Sequence, residues 1–375
     1  MPSAPHNPPF RPDHVGSFLR PSALLSARAD HEAGKISAAE LHAIEDAAIR
    51  EVVKFQESLG LQSITDGEYR RAVFYMGFYG GLSGVSAAYD TSGQQGLTFV
   101  DRRGHKLPLI IPTVERRLQW KAPIHAAEFK FLASLTARTP KMTIPSPTIL
   151  HLRAGREHIS RDAYPDLDLF WADIIDAFRR ELAALHEAGC RYVQIDETTL
   201  ASLSDPSSWP YLARRGDDGR KLLLETYPAI MNAAFAGRPA GLHLAMHICR
   251  GNNQSHWSAE GGYDLVADTL FNKIDVDSYF LEYDTPRAGT FEPLRLVPKH
   301  KTVVLGLVSS KFPELEPKEL LKMRIDEAAK FIDLDQLSIS PQCGFASTAP
   351  GNKVTVEDEA AKIRLCVDVA REVWG

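Results

Sequence analysis

Cysteine is scarce in this chain. Four cysteines in 375 residues make no disulfide framework, so they read as buried thiols or metal ligands. No apolar run approaches the roughly 18 residues that a membrane-spanning helix needs. Residues 1–12 are polar and proline-rich without a signal-peptide pattern, and the expected compartment is the cytoplasm. No Gly-x-Gly-x-x-Gly follows a strand pattern, which counts against a dinucleotide fold, and no P-loop or low-complexity segment is present. The formal net charge is only −5. It gives no reason to expect nucleic acid or a membrane surface as a partner.

What is present is a soluble globular composition, 44% hydrophobic and 24% charged. The length suits two ordinary domains or one α/β barrel. Ser37-Ala38-Ala39-Glu40 is a capping box. Leu41, Ile44, Ala48, Val52, Phe55 and Leu59 follow at helical spacing, with Gly60 as the stop. Phe170, Ile174, Phe178, Leu182 and Leu185 mark a second amphipathic helix over 168–186. Further helices are predicted over 222–235, 263–271, 317–331 and 356–373. Short strand-like segments fall near residues 13, 63, 142, 193, 243, 280, 304 and 338. Most are separated by helices, which predicts a parallel α/β fold, and their number favours a (β/α)8 TIM barrel over a doubly wound sheet. Residues 72–140 are irregular, with hairpin candidates at 97–100 and 107–111. They read as an arm inserted after the second strand of a single domain spanning residues 1–375.

Polar and metal-capable residues gather where the strands stop: Ser17, Glu68, Asp196, His247 with Cys249, Glu282, Ser309 with Lys311, and Cys343. In a barrel such ends converge on the face where active sites are built. His247 and Cys249, two positions apart in an extended segment, place an imidazole and a thiol on one side. Both donors suit zinc. Cys343 and Glu282 end two other strands, and one zinc ion would satisfy all four groups, including a carboxylate that is costly to leave buried and unpaired. A lone His-x-Cys is as readily a core histidine beside a core thiol. Glu68 and Asp196 suit an amino group on a substrate, although strand-end acids, among them Asp66 and Glu197, also cap helices. Arg70, Arg71 and Arg250 suit a substrate carboxylate, sulfonate or phosphate, or else ion pairs with the nearby acids. Cys190 and Cys366 read as structural, His243 as a core residue or a neighbour of the ligands, and His256 as a solvated loop residue.

Gly16-Ser17-Phe18, Gly67-Glu68, Pro147-Thr148-Ile149-Leu150, Gln194-Ile195-Asp196-Glu197, His247-x-Cys249 and Pro341-x-Cys343-Gly344 stand in that order. Together they resemble the catalytic domain of cobalamin-independent methionine synthase. The resemblance implies a (β/α)8 barrel with zinc held by His247, Cys249, Glu282 and Cys343. It implies that Ser17, Glu68 and Asp196 hold the amino-acid part of homocysteine; Arg250, from its own position, is expected as a further substrate contact. The implied chemistry is thiol alkylation: zinc lowers the pKa of the substrate thiol, and the thiolate attacks an electrophilic carbon. Asp196 and Glu282 are expected to act in the transfer, Glu282 as the ligand that loosens when the sulfur arrives. The implied partners are a small-molecule thiol and an alkyl donor, a methyl donor first, and a homo-oligomer is compatible with the sequence.

Two departures leave the donor open. The chain is one barrel long, without the N-terminal half of the full enzyme. The stretch Gly306-Leu307-Val308-Ser309-Ser310-Lys311 lacks the histidine that follows the family's seventh strand. Single-barrel relatives include epoxyalkane:coenzyme M transferases, which open an epoxide with a zinc-bound thiolate, and Cys249-Arg250-Gly251-Asn252 looks like that branch. Outside thiol chemistry, the alternatives are a zinc-independent barrel of the uroporphyrinogen decarboxylase type and a closed structural zinc site.

Overall fold

A computed structural model describes residues 8–90, 99–100, 106–107 and 109–375. Seven short parallel strands organise it: β1 (Ser63–Ile64), β2 (Met142–Pro145), β3 (Tyr192–Glu197), β4 (His243–Ile248), β5 (Ser278–Glu282), β6 (Thr302–Val308) and β7 (Leu337–Pro341). Strands β2 to β7 form one six-stranded parallel sheet in chain order. Apart from His243 and Thr302 at their starts, all residues of these six strands are buried, as expected for a parallel sheet covered on both faces. The parallel α/β fold is therefore present.

The two sheet edges carry additional pairings. Strand β1 pairs in parallel with Thr139–Pro140, just ahead of β2. At the other edge Pro12 bridges Ile339 of β7. The strand expected near residue 13 amounts to this bridge, because Pro8, Pro9 and Pro12 have no N–H with which to extend a ladder. Residues 13–18 meet residues 63–67 largely through side chains. Ser63 Oγ donates to Asp13 Oδ1 (2.7 Å), Thr65 Oγ1 donates to Gly16 O (2.6 Å), and Phe18 N donates to Gly67 O (3.2 Å).

Helix α1 (Ala38–Ser58) begins at the expected capping box, with Glu40 N donating to Ser37 Oγ (3.2 Å) and Ser37 N donating to Glu40 Oε2 (2.8 Å). It buries Ile49, Val52 and Val53 against Phe18, Leu61 and Ile64. Its buried face is rotated from the apolar stripe: Leu41, Ile44, Ala48 and Phe55 are half-buried, while Glu45 and Gln56 are buried. Both are fully engaged. Glu45 pairs with Arg28 (2.7 Å) and Arg70 (3.0 Å), and Gln56 exchanges bonds with the Thr65 backbone. Helix α2 (Leu167–Glu187) buries the expected Phe170, Ile174, Phe178, Leu182 and Leu185 in the main core. The last helix, α3, is Val356–Trp374. Two expected helices are partly π-helical. Leu222–Thr226 forms a π turn leading into Tyr227–Phe235, where Pro228 has no N–H to give the preceding turn. In the 263–271 segment, the regular part is confined to its end and the π turn Thr269–Lys273.

Between β1 and β2 lie a single turn, Met76–Tyr79, an antiparallel pair, Ser83–Asp90 with Leu109–Gln119, and the helix Ala126–Ala133. Phe99–Val100 pairs with Lys106–Leu107, and Leu97 and Thr98 of the first hairpin candidate lie outside the described residues. Among the described residues, no helix is long and apolar enough to cross a membrane.

Side chains alternate across a strand. Asp196 is in register with His247, and His247 with Phe280, so these three share one face. Lower on that face, Tyr192, Ala245, Phe280 and Val304 pack with Val15 as a small separate core cluster. The polar groups stand above this plug, at the carboxyl ends of the strands.

Candidate metal centre and its cavity

Strand β4 carries His247, Cys249 follows its end, and Cys343 follows β7. Their ligand-capable atoms lie within 4.8 Å of one another, and all three residues are buried. Neither ring nitrogen of His247 has an ordinary hydrogen-bond partner. Burial pushes its imidazole pKa down, but the Cys343 sulfur, Asp196 and Glu282 outweigh it and hold it above the usual value. Hydrogen bonding with Cys249, together with His247 and Lys311, holds the Cys343 thiol well below its usual value against burial. The same contact, with burial, pushes Cys249 up. One sulfur is thus disposed toward thiolate, the form that binds metal. A buried imidazole with free nitrogens beside two converging sulfurs is a donor set that can hold a metal ion.

Glu282 stands outside this converging group. Its Oε2 accepts from Arg250 N (2.7 Å) and its Oε1 from Arg287 Nη2 (2.7 Å). Burial would raise its pKa, but Lys311 and Arg287 reverse the effect and lower it.

A small cavity of about 30 Å³, partly open to solvent, joins His247, Cys249 and Cys343 to Ser17, Glu68 and Asp196. Six residues expected at five strand ends thus line one space. Ser17 is pinned by Phe345 N donating to its carbonyl (2.9 Å) and Ala346 N donating to its Oγ (3.4 Å). Glu68 has φ 60°, a left-handed conformation that costs a non-glycine residue roughly 1–3 kcal/mol. Its backbone is held by Asp66 Oδ1 accepting from Glu68 N (2.8 Å) and by Arg20 Nη2 donating to Glu68 O (2.9 Å). Thr143 Oγ1 donates to Oε1 (2.8 Å), while Oε2 is buried without a partner. Burial raises the Glu68 pKa, with Arg71 and Arg20 opposing. Burial and the Glu68 charge raise Asp196 to about 7, although Gln194 Nε2 donates to its Oδ1 (2.7 Å). Two carboxyl groups this poorly neutralised are able to attract a cation. Glu197 faces the other way and caps the helix Thr199–Ser204, accepting from Leu200 N (2.7 Å).

None of the three arginines singled out in the sequence lines this cavity. Arg250 lies over the Tyr263 ring (4.2 Å), with Nε donating to Gly261 O (2.8 Å). Arg70 pairs with Glu45 and Asp46, and Arg71 bonds Thr143 Oγ1 (3.0 Å) beside Glu68 (3.8 Å). The cavity wall holds Asn252, from the Cys249-Arg250-Gly251-Asn252 stretch, and Arg153, Phe74, Thr198 and Ser347, which had no motif to mark them. His243 bonds Ser278 Oγ (2.8 Å). His256, expected to be solvated, is buried: its backbone exchanges bonds with Asn253 and its Nδ1 lies 3.0 Å from Asn253 O. Cys190 and Cys366 are buried thiols away from the group, raised by burial.

A parallel sheet whose strand ends bring a His–Cys–Cys group and paired carboxylates into one cavity defines an α/β catalytic domain with its site at the carboxyl face. The chain belongs to the cobalamin-independent synthase family, whose catalytic domain matches residues 11–372. It is 40% identical over 372 residues to the uncharacterized protein YxjH of Bacillus subtilis, covering 98% of this chain and 95% of that protein. It resembles the solved structure of a putative vitamin-B12 independent methionine synthase from Listeria monocytogenes at 32% identity, with a TM-score of 0.76 and 98% of each chain covered. A B12-independent methionine synthase from Shewanella sp. W3-18-1, solved with selenomethionine, shares the fold at 20% identity, with a TM-score of 0.70 and 97% of each chain covered.

Proposed function

We propose that this methionine synthase-like domain is a zinc-dependent thiol alkyltransferase that methylates homocysteine to methionine. One observation carries the reading: a sulfur-rich His–Cys–Cys group shares one cavity with two under-neutralised carboxylates. Zinc suits the donor set, with His247, Cys249 and Cys343 as ligands and Glu282 as the fourth. When bound it lowers the pKa of a substrate thiol, so that a thiolate is available at neutral pH. Glu68 and Asp196 take the substrate ammonium. Ser17 holds the amino-acid end by its hydroxyl, and the buried walls keep water from the sulfur. Arg287 and Arg250 N orient the Glu282 carboxylate. With the substrate fixed at both ends, proximity supplies much of the rate.

The same reading takes residues 1–375 as one domain, with 72–140 as an insertion, and the sheet as a closed eight-stranded barrel. The Pro12–Ile339 bridge, the β1 pairing with Thr139–Pro140 and the bonds between residues 13–18 and 63–67 support closure.

Zinc-edge X-ray absorption on the purified protein, with and without homocysteine, tests the assignment. The expected result is one additional sulfur in the zinc shell, at about 2.3 Å. Zinc with an unchanged shell rejects homocysteine and moves the reading to another thiol with an epoxide as its partner. Protein that purifies without zinc and does not take it up rejects the metal chemistry altogether.

A further inference from the structure

Glu282 is wholly buried, and both of its oxygens are engaged away from the sulfur group. Oε1 accepts from Arg287 Nη2 and Oε2 from Arg250 N, each at 2.7 Å. The parts that hold it are fixed in turn. Arg287 lies in the single turn Pro286–Ala288 after β5, and its carbonyl accepts from Gly261 N (2.9 Å). Gly289 is pressed so closely onto the loop after β4 that a Cβ on it would fall 2.5 Å from Gly262 Cα. The Arg287 guanidinium carbon stands 4.7 Å from the Trp257 ring centroid, and the side chain is only 9% exposed. The dock for Glu282 is therefore preformed, and it is built against the loop that begins at Cys249.

A guanidinium and a metal ion compete for the single charge of a carboxylate. A thiolate that takes the place of a carboxylate leaves the charge at a metal unchanged. The displaced carboxylate, however, stays buried and needs a cation. Arg287 Nη2 is nearer to Glu282 (2.7 Å) than to Asp284 (3.6 Å). We propose that Arg287 is a positioning residue that competes with the metal for the Glu282 carboxylate, so that Glu282 is a displaceable ligand whose place opens to an incoming thiolate. The inference rests on the thiol alkyltransferase reading, which supplies both the metal and the thiolate.

Chelator competition for zinc, and calorimetric titration of the zinc-loaded full chain with L-homocysteine, test it. Without the guanidinium, Glu282 is free for the metal. Arg287→Met is expected to hold zinc about tenfold more tightly and homocysteine about tenfold more weakly, the scale of one charge-assisted hydrogen bond. Its zinc-edge spectrum should keep the oxygen neighbour at homocysteine concentrations that replace it with sulfur in the native protein. Arg287→Lys should move both affinities the same way but less far, because an ammonium keeps the charge without the fork. In Glu282→Gln protein, adding Arg287→Met should change neither, since no carboxylate remains to be held. Zinc and homocysteine affinities that fall together in both Arg287 variants mark a structural residue and overturn the proposal. Unchanged affinities in Arg287→Met overturn it as well, as do equal effects with and without the Glu282 carboxylate. Tighter zinc in Arg287→Met, in a protein whose zinc shell homocysteine does not alter, keeps the competition for Glu282 and rejects the homocysteine reading.

Discussion

Gly344 lies so close to Ser17 that a Cβ on it would fall 1.9 Å from Ser17 Oγ. The segment after β7 is pressed onto the first segment by the bond from Phe345 N to Ser17 O (2.9 Å), and only a hydrogen fits between them. Gly344→Ala is expected to push the Ser17 side chain out of the cavity wall. Overpacking of this kind costs roughly 1–3 kcal/mol of stability. Thermal unfolding and homocysteine titration check both effects. A folded Gly344→Ala protein with undiminished homocysteine affinity would remove Ser17 from the site.

Cys343 and Cys366 are both buried thiols, but they differ in what surrounds them. Cys343 converges with His247 and Cys249, whereas Cys366 sits inside α3. Cys343→Ser is expected to take zinc content from about one ion per chain to near zero, since a hydroxyl is a poor substitute for a thiolate ligand. Transfer activity should fall with it. Cys366→Ser is expected to lower stability and leave zinc content intact. Elemental analysis of the purified variants decides, and a Cys343→Ser protein that retains its metal would remove Cys343 from the ligand set.

The sulfur group was legible because strand geometry makes it so. A His-x-Cys at a strand end faces one way, and a second cysteine at another strand end meets it once the sheet curves. The same alternation separates Asp196, which lines the cavity, from Glu197, which caps a helix. Arg250 was misleading: adjacent to Cys249 in sequence, it turns away onto Tyr263 (4.2 Å). Arg153 was invisible, because a residue six positions past a proline reaches the cavity only through the geometry of one short helix. In α1, the buried Glu45 and Gln56 replace apolar positions of the stripe because Arg28, Arg70 and the Thr65 backbone satisfy them. Their partners lie outside the helix, and no pattern within it reports them.

Beneath the cavity, Lys141 and Asp13 form a wholly buried ion pair at 3.3 Å. Lys141 Nζ also donates to His14 O (2.5 Å) and stands 4.2 Å from the Phe280 ring centroid, while Tyr192 and Ser63 donate to Asp13. Lys141→Met removes one charge and strands the other. The expected cost is about 3–5 kcal/mol, as for other broken buried pairs. Adding Asp13→Asn should recover much of it, because no charge then remains buried. Denaturant unfolding of the two single variants and the double variant measures the coupling. Additive losses would show that the pair is not a unit.

Glu359, in the first turn of α3, is 1% exposed, and its Oε1 accepts from Leu19 N (3.1 Å). Burial raises its pKa from 4.5 to about 8, with only the Leu19 bond opposing. Folding therefore favours the protonated form. In the unfolded chain Glu359 loses its proton near its ordinary value, but in the native state it keeps it. Its contribution is fully present below pH 4.5 and is lost as pH rises toward about 8. Across that window the slope from this one group approaches about 1.4 kcal/mol per pH unit. Glu359→Gln keeps the acceptor for Leu19 N and cannot ionise. The variant should match the native protein near pH 5 and exceed it in stability near pH 8, with a flatter profile between. Urea unfolding at a series of pH values measures this. Parallel profiles for the two proteins would mean that Glu359 is already ionised in the folded state.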